Sequence, residues 1–191
     1  MMKKVSERVI LGLDPGTTIT GYAVICSDNK KVNLVKYGII RLGKGGSHEL
    51  KLKKIFEEVL KLIDAFIPDE VALEAPFFGK NVQSALKLGR AQGVAMAAAL
   101  SRQIPITEYA PRKVKQAVTG NGNASKEQVA RMLLRQFGIK EAPRLLDATD
   151  ALAVALCHHG FNTRVAHKRT AKTTWKEFVA RHPERMDKTS R

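Results

Sequence analysis

The sequence is poor in cysteine and has no long apolar run, and each absence argues against a class of protein. It contains two cysteines, Cys26 and Cys157, and no C-x-x-C motif. A framework of disulfide bonds is therefore not expected, whereas a reducing, cytoplasmic location fits. No stretch of about 18 apolar residues occurs, so we expect neither a membrane-spanning helix nor a membrane partner. The first apolar run ends at Asp14, which argues against a signal peptide.

Acidic residues are also scarce, with 18 Asp and Glu against 33 Lys and Arg. The resulting net charge of +15 at pH 7 attracts polyanions over a long range. This composition favours a protein that contacts nucleic acid or, less specifically, an anionic membrane surface. A ribosome-associated protein or a merely soluble basic protein is the alternative.

Two of the few carboxylates close short apolar runs. Asp14 ends the run that starts at Val9, and Glu74 ends the run that starts at Val71. Ligands of open α/β folds bind at the carboxyl ends of strands, so we expect both side chains at that edge of a sheet. The alternatives are that Asp14 only forms a turn with the following Pro-Gly, and that Glu74 is an ordinary surface acid.

Two further carboxylates, Asp147 and Asp150, are three residues apart in a predicted helix that is apolar nearly all round. Their Cβ atoms would lie ~5–6 Å apart on one face, although solvated surface aspartates are the commoner case. Four carboxylates in one place repel each other unless hard divalent ions bind them. We therefore expect two Mg²⁺ ions, for which Mn²⁺ would substitute, and an in-line displacement at phosphorus.

Hydrophobic periodicity predicts an α/β fold. The predicted strands cover residues 9–14, 21–26, 32–42, 71–74 and 104–108. The predicted helices cover residues 47–66, 81–102, 125–137 and 145–159. Three meandering strands followed by strand–helix alternation indicate a mixed five-stranded sheet with helices on both faces.

The composition changes after Gly160. Residues 161–191 contain nine Lys and Arg against three Asp and Glu, and few apolar side chains. We interpret residues 1–160 as the folded domain and residues 161–191 as a basic, flexible C-terminal tail.

Several motifs, in order from about residue 9 to residue 159, resemble those of the RuvC family. They are Ile10–Gly16, Thr20–Tyr22, Glu74, Phe77–Asn81, Ser84–Gly89, Tyr109–Gln116 and Asp147–Ala153. RuvC proteins are bacterial crossover junction endodeoxyribonucleases, which resolve Holliday junctions. The resemblance implies a ribonuclease-H-like nuclease domain in residues 1–160, a homodimer and Mg²⁺-dependent paired nicks across a four-way DNA junction.

The resemblance also implies roles for individual residues. Its four catalytic and metal-binding acids match Asp14, Glu74, Asp147 and Asp150, the set that spacing had already indicated. The RuvA and RuvB branch-migration proteins are the implied protein partners.

Six residues match the DNA-binding positions of the family motifs. They are Phe77, Phe78, Lys80, Asn81, Lys115 and Lys126. In the family, an aromatic residue at the position of Phe77 wedges at the junction centre, and two lysines lie near the cleaved strand. The alternatives are core packing for the aromatic residues and a solvated helix face for the lysines.

Gly89 and Gly93 begin a stripe of small residues on the long predicted helix. Such a stripe permits a two-fold contact between the helices of two subunits, which suits a two-fold junction. Packing of the helix on its own sheet is the alternative.

Three other functions remain open at this point. An actin-like ATPase has a related sheet, but this chain lacks a second Asp-x-Gly after Asp14-Pro-Gly16. A non-catalytic junction-binding protein would have no need for all four acids. A nuclease that acts on RNA is not excluded by the spacing.

Overall fold

The computed structural model describes residues 7–28, 31–43, 45–75, 81–139 and 146–170, with the side chains of the last segment described to residue 161. Its strands are β1 (Arg8–Asp14), β2 (Ile19–Ser27), β3 (Val32–Arg41), β4 (Glu70–Glu74) and β5 (Ile106–Tyr109). Its helices are α1 (His48–Phe66), α2 (Val82–Ser101), α3 (Pro111–Thr119), α4 (Lys126–Gln136) and α5 (Asp147–Thr170). No helix in these ranges is long and apolar enough to cross a membrane.

The five strands form one mixed sheet in the order β3-β2-β1-β4-β5. The first three strands are an antiparallel meander, whereas β4 runs parallel to both β1 and β5. The predicted mixed five-stranded sheet is therefore confirmed. Because β1, β4 and β5 are parallel, their carboxyl ends meet at the same edge of the sheet.

Helices cover both faces of this sheet, as predicted. On β1, Leu11 and Leu13 face the layer of α1 and α2, and Ile10 faces the layer of α3, α4 and α5. In the first layer the buried helix residues are Ile55, Val59, Ile63, Ala91, Ala95, Ala98 and Ala99. In the second layer they are Val114, Val118, Val129, Leu133, Ala151, Leu152, Ala153, Val154, Ala155 and Cys157. The central strands are thus buried on both sides, which explains their nearly continuous apolar sequence.

Two glycines allow α5 to lie directly on the backbone of β1 and β2. A Cβ atom on Gly12 would lie 2.3 Å from the carbonyl oxygen of Ala151. On Gly21 it would lie 1.9 Å from the carbonyl oxygen of Asp147. Any larger residue at either position would push α5 away from the sheet, so these glycines fix the height of Asp147 above the strands.

Polar caps define the starts of three helices where the sequence predicted them. The Ser47 hydroxyl accepts a hydrogen bond from the backbone of Leu50 and starts α1. Ser125 and Gln128 form a capping box at the start of α4, each side chain accepting from the other's backbone N–H. The Asn81 side chain caps α2 in the same way as Ser47 caps α1.

Two sequence predictions about helices were wrong. The nine-residue helix α3 was missed, because it is short and its apolar contacts rest on Val114 and Val118 alone. Helix α5 was predicted to end at His159, before Gly160, yet it continues to Thr170. A glycine inside a helix costs only about 1 kcal/mol relative to alanine and need not end it. The predicted tail remains a prediction, since residues 171–191 lie outside the described part.

Candidate active site

Asp14 and Glu74 lie next to each other at the carboxyl edge of the sheet. The parallel register pairs Leu13 with Leu73, so the two acids occupy the following positions on adjacent strands. Neighbouring strands are about 4.8 Å apart. Side chains alternate along a strand, so both carboxylates project from the face that α5 covers.

Asp147 and Asp150 occupy the first turn of α5. The Thr149 hydroxyl and the Asp150 amide both donate to the carbonyl oxygen of Leu146, at 2.6 and 2.9 Å, and fix this turn. Asp150 is 8% exposed. The close contact at Gly21, which is the β2 partner of Asp14, brings the start of α5 to the strand end. Helix amino termini favour negative charge, so the turn suits two aspartates.

The carboxylates act on one another electrostatically. Burial and the charges of Glu74, Asp150 and Asp147 raise the pKa of Asp14 from 3.8 to about 7, against a smaller lowering by Lys126. Burial and then Asp150 also raise the pKa of Glu74. The site therefore concentrates more negative charge than its surroundings compensate.

Lys126 supplies positive charge to this cluster. Its Nζ atom donates to Asp150 Oδ2 at 2.5 Å. Burial lowers the pKa of this lysine, but the hydrogen bond and the charges of Asp150, Asp14 and Glu74 outweigh burial and raise it. Lys126 is therefore charged at neutral pH. It starts α4, so the capping box of that helix also positions the ammonium group.

Lys115 approaches the cluster from α3. Its charge lowers the pKa of Glu74, as does that of Lys126, although burial of Glu74 dominates. The lysine backbone is held by Thr119, whose hydroxyl donates to the Lys115 carbonyl oxygen at 2.8 Å. Helix α3, which was not predicted from the sequence, thus carries Lys115, one of the two lysines that the family resemblance selected.

The donor set has the chemistry of a site for hard divalent ions. All four acids offer carboxylate oxygens, which Mg²⁺ prefers. Within the described ranges, however, no three Asp, Glu, His or Cys side chains converge closely enough to hold a metal ion as they stand. Binding through Asp150 would require its Oδ2 atom to exchange the Lys126 ammonium for the metal. The four acids therefore fit Mg²⁺ in ligand type and in charge, provided that Lys126 releases Asp150.

The remaining predicted DNA-binding positions are only partly described. Phe77, Phe78 and Lys80 lie outside the described residues. Asn81 is exposed, and its Oδ1 atom accepts a hydrogen bond from the Ser84 amide at 3.1 Å. Asn81 therefore has a structural role as a helix cap, which the sequence analysis did not assign.

Gln92 is a residue of the site that the sequence analysis missed. It is 5% exposed and lies on α2. Its carboxamide donates to the Glu108 carboxylate and, at 3.5 Å, to the carbonyl oxygen of Glu74. The signal in the sequence was a lone polar residue on the alanine-rich face of α2. Gln92 ties that helix to the strand end that presents Glu74.

Comparison with known proteins decides the family. The model of the family described as crossover junction endodeoxyribonuclease RuvC matches residues 10–158. The chain belongs to the RuvC family. The crossover junction endodeoxyribonuclease RuvC of Christiangramia forsetii is 57% identical over 181 residues, covering 95% of this chain and 94% of the relative. That of Bacteroides fragilis is 56% identical over 188 residues, covering 97% and 100%.

Solved structures of other proteins share the fold. Thermus thermophilus RuvC in complex with a Holliday junction substrate superimposes with a TM-score of 0.77 at 35% identity, covering 82% of this chain and 96% of that one. The yeast mitochondrial Holliday junction resolvase Ydc2 gives a TM-score of 0.63 at 15% identity, covering 84% and 81%, and shows the same fold. The predicted family and the ribonuclease-H-like fold are confirmed. As a family member the chain is an endodeoxyribonuclease, so the actin-like ATPase alternative was wrong.

Proposed function

We propose that this family member resolves four-way DNA junctions by hydrolysis at a Mg²⁺ site formed by Asp14, Glu74, Asp147 and Asp150. The observation that carries the proposal is the meeting of acids from β1, β4 and α5 at one sheet edge. The raised pKa of Asp14 supports it, because excess negative charge in a partly buried place is what bound cations relieve.

Each group in the site has a distinct task in this proposal. The four carboxylates hold two Mg²⁺ ions, with Mn²⁺ as a substitute. When bound, such ions activate a water molecule and stabilise the leaving oxygen of the phosphodiester. Lys115 supplies positive charge beside Glu74 and would neutralise the negative charge of a phosphate on the cleaved strand. Lys126, released from Asp150, would do the same on the other side of the cluster.

We also propose that the chain acts as a homodimer paired through the outer face of α2. This α2 outer face consists of Val82, Leu86, Gly89, Gly93, Ala97 and Leu100, all of them exposed. The buried alanines of the same helix pack on the opposite side. A Cβ atom on Gly89 or Gly93 would meet nothing within 4 Å among the described residues, so packing of these glycines on their own sheet is not supported. A second copy is the partner that a two-fold junction requires.

Three further proposals rest on the family resemblance and on charge. Phe77, with Phe78 beside it, would stack on bases at the junction centre, where each stacked base contributes ~1–3 kcal/mol. The basic residues 161–191 would add affinity for DNA that is independent of sequence and sensitive to salt. The RuvA and RuvB proteins would deliver the junction.

The deciding experiment compares a synthetic four-way junction with a linear duplex, each with Mg²⁺ or with EDTA. We expect paired nicks in the junction with Mg²⁺ only, and preferential binding of the junction at one fixed salt concentration. Asp14→Asn, Glu74→Gln, Asp147→Asn and Asp150→Asn should each abolish nicking while junction binding persists, since they remove a ligand charge with little change in volume. Normal nicking by the Asp14, Glu74 or Asp147 variant would contradict the metal site. An RNA–DNA hybrid as a third substrate tests the remaining alternative, a nuclease that acts on RNA.

A further inference from the structure

A buried polar network lies in the second core layer, away from the acid cluster. Its members are Tyr109 at the end of β5, His158 on α5 and Glu70 at the start of β4. Tyr109 and His158 are 1% and 3% exposed. The Tyr109 hydroxyl lies 2.8 Å from His158 Nδ1, and His158 Nε2 contacts the Glu70 carboxylate. The network therefore joins two strands of the sheet to α5.

Each hydrogen bond of the network has a defined direction. Burial, and then Cys157 and Glu70, raise the pKa of Tyr109, so its hydroxyl keeps the proton and donates to His158 Nδ1. When the imidazole is neutral, the proton is on Nε2, which donates to Glu70. Arg8 lies 3.6 Å from the other oxygen of Glu70. A buried polar network with all its members paired specifies one arrangement of the core.

The rest of the packing of α5 on the sheet is made largely by small side chains. Alanine is the commonest buried residue of this helix, at positions 148, 151, 153 and 155. Gly12 and Gly21 fix the height of the helix above the strands. Alanine side chains project little, so they interlock less with the sheet than long side chains and resist sliding along the helix axis less. The directional bonds of His158 supply that resistance.

Tyr109 connects both halves of the acid cluster. It is the β5 partner of Glu74, and its carbonyl oxygen accepts from the Ala75 amide at 2.8 Å. Its side chain holds α5, on which His158 lies about 12 Å beyond Asp150 along the axis. Distances from a metal ion to its ligands tolerate errors of only about 0.2 Å. A small slide of α5 would therefore be enough to spoil a site shared by strand acids and helix acids.

We infer that Tyr109 and His158 are positioning residues, which set the position of α5 along its axis and hence the spacing that a divalent ion requires between the strand acids and the helix acids. The inference rests on the proposed metal site. Neither side chain touches the acids, and both act through the helix that carries Asp147 and Asp150.

The test is Tyr109→Phe in the full-length chain, which removes one buried hydroxyl and keeps the ring. Calorimetric titration with Mn²⁺ in the absence of DNA should show about fivefold weaker binding, less than the roughly 10- to 100-fold typical of groups that contact a metal ligand directly. The Mg²⁺ concentration for half-maximal nicking should rise by the same factor, with the maximal rate unchanged. Junction affinity in EDTA should also be unchanged, because the lost hydroxyl is buried.

The matched control is Val154→Ala, which removes buried packing from the same helix without removing a polar contact. It should lower the melting temperature and leave the affinity for Mn²⁺ unchanged. A second pair of variants tests the bonds of the imidazole. His158→Ala should weaken Mn²⁺ binding, and His158→Gln should restore most of the loss, because a carboxamide offers one acceptor and one donor side, as a neutral imidazole does.

Three results would overturn the inference: unchanged Mn²⁺ binding by Tyr109→Phe, equal losses for Tyr109→Phe and Val154→Ala, or equal losses for His158→Gln and His158→Ala. Failure of the proposed metal site gives a different result. In that case the unsubstituted protein and Asp14→Asn would show the same Mn²⁺ titration, and the inference would fail with the site. Weaker Mn²⁺ binding by Asp14→Asn together with unchanged binding by Tyr109→Phe would contradict the positioning role alone.

Discussion

Asp14 lies where burial and three neighbouring carboxylates act on the same group. Its pKa of about 7, against an ordinary 3.8, means that the folded chain without metal binds this proton more tightly than the unfolded chain does. Ionisation of Asp14 therefore opposes folding. Below pH 3.8 both states hold the proton and there is no penalty. Between pH 3.8 and 7 the penalty grows, and above pH 7 it is complete.

This linkage predicts that Asp14→Asn stabilises the metal-free protein at pH 8 relative to the unsubstituted chain, but not at pH 4. The difference in free energy of unfolding should grow over that interval by up to roughly 4 kcal/mol, since each unit of pKa shift corresponds to about 1.4 kcal/mol. Urea unfolding of both proteins in EDTA at the two pH values measures it. Added Mg²⁺ should stabilise only the unsubstituted chain at pH 8. If the difference in free energy of unfolding between the two proteins did not depend on pH, Asp14 would have the same pKa in the folded and the unfolded chain.

At the scale of elements, α2 and the end of β4 are joined by Gln92. Replacement of Gln92 by alanine removes the donor to the Glu74 carbonyl oxygen and to Glu108. Glu74 would then be held less firmly. We expect the maximal nicking rate to fall by about tenfold, which corresponds to about 1.4 kcal/mol of activation free energy. Junction affinity should change less than threefold.

The matched control for this prediction is Gln83→Ala on the same helix, since Gln83 is exposed. It should leave both the rate and the affinity unchanged. Replacement of Gln92 by glutamate tests the same contact with similar volume, because a carboxylate beside Glu108 would repel it. Equal loss of rate and affinity for Gln92→Ala would indicate a general structural defect and not a positioning role.

Element by element, the sequence was informative where local chemistry sets the structure. The caps at Ser47 and Ser125 and the strand-end position of Asp14 follow from patterns of a few residues. Helix α3 and the burial of Gln92 do not, because both depend on neighbours that are distant in the chain. The role of Gly12 and Gly21 was not predicted for the same reason, because the approach of α5 to these glycines joins residues that are distant in the chain.

At the scale of the whole molecule, α2 has two faces with different partners. The buried face meets its own core, and the α2 outer face is exposed over nearly the full length of the helix. A glutamate in place of Gly93 meets no described atom near its Cβ and replaces glycine in a helix interior. It should therefore leave the stability of the single subunit unchanged or slightly higher.

The same Gly93→Glu change should place two like charges across the proposed two-fold contact and yield a monomer. Sedimentation at micromolar concentration without DNA measures the change in mass. Gly93→Ala, which adds volume without charge, is the milder companion variant. A dimer that persists with glutamate at this position would place the subunit contact elsewhere. A monomer that still makes paired nicks with simultaneous timing would show that pairing does not need this helix.

The close packing of α5 on Gly12 and Gly21 also has a consequence for folding of the chain during its synthesis. Two of the four candidate carboxylates belong to the first strand and the fourth strand, and the other two arrive with the last described helix. While the ribosome is still making residues before Asp147, the emerging polypeptide holds only half of the acids. If the four carboxylates form the metal site as proposed, the chain at that stage would expose basic surface to DNA without the means to cut. Cleavage competence would then be acquired late, when α5 leaves the exit tunnel and packs onto the two glycines.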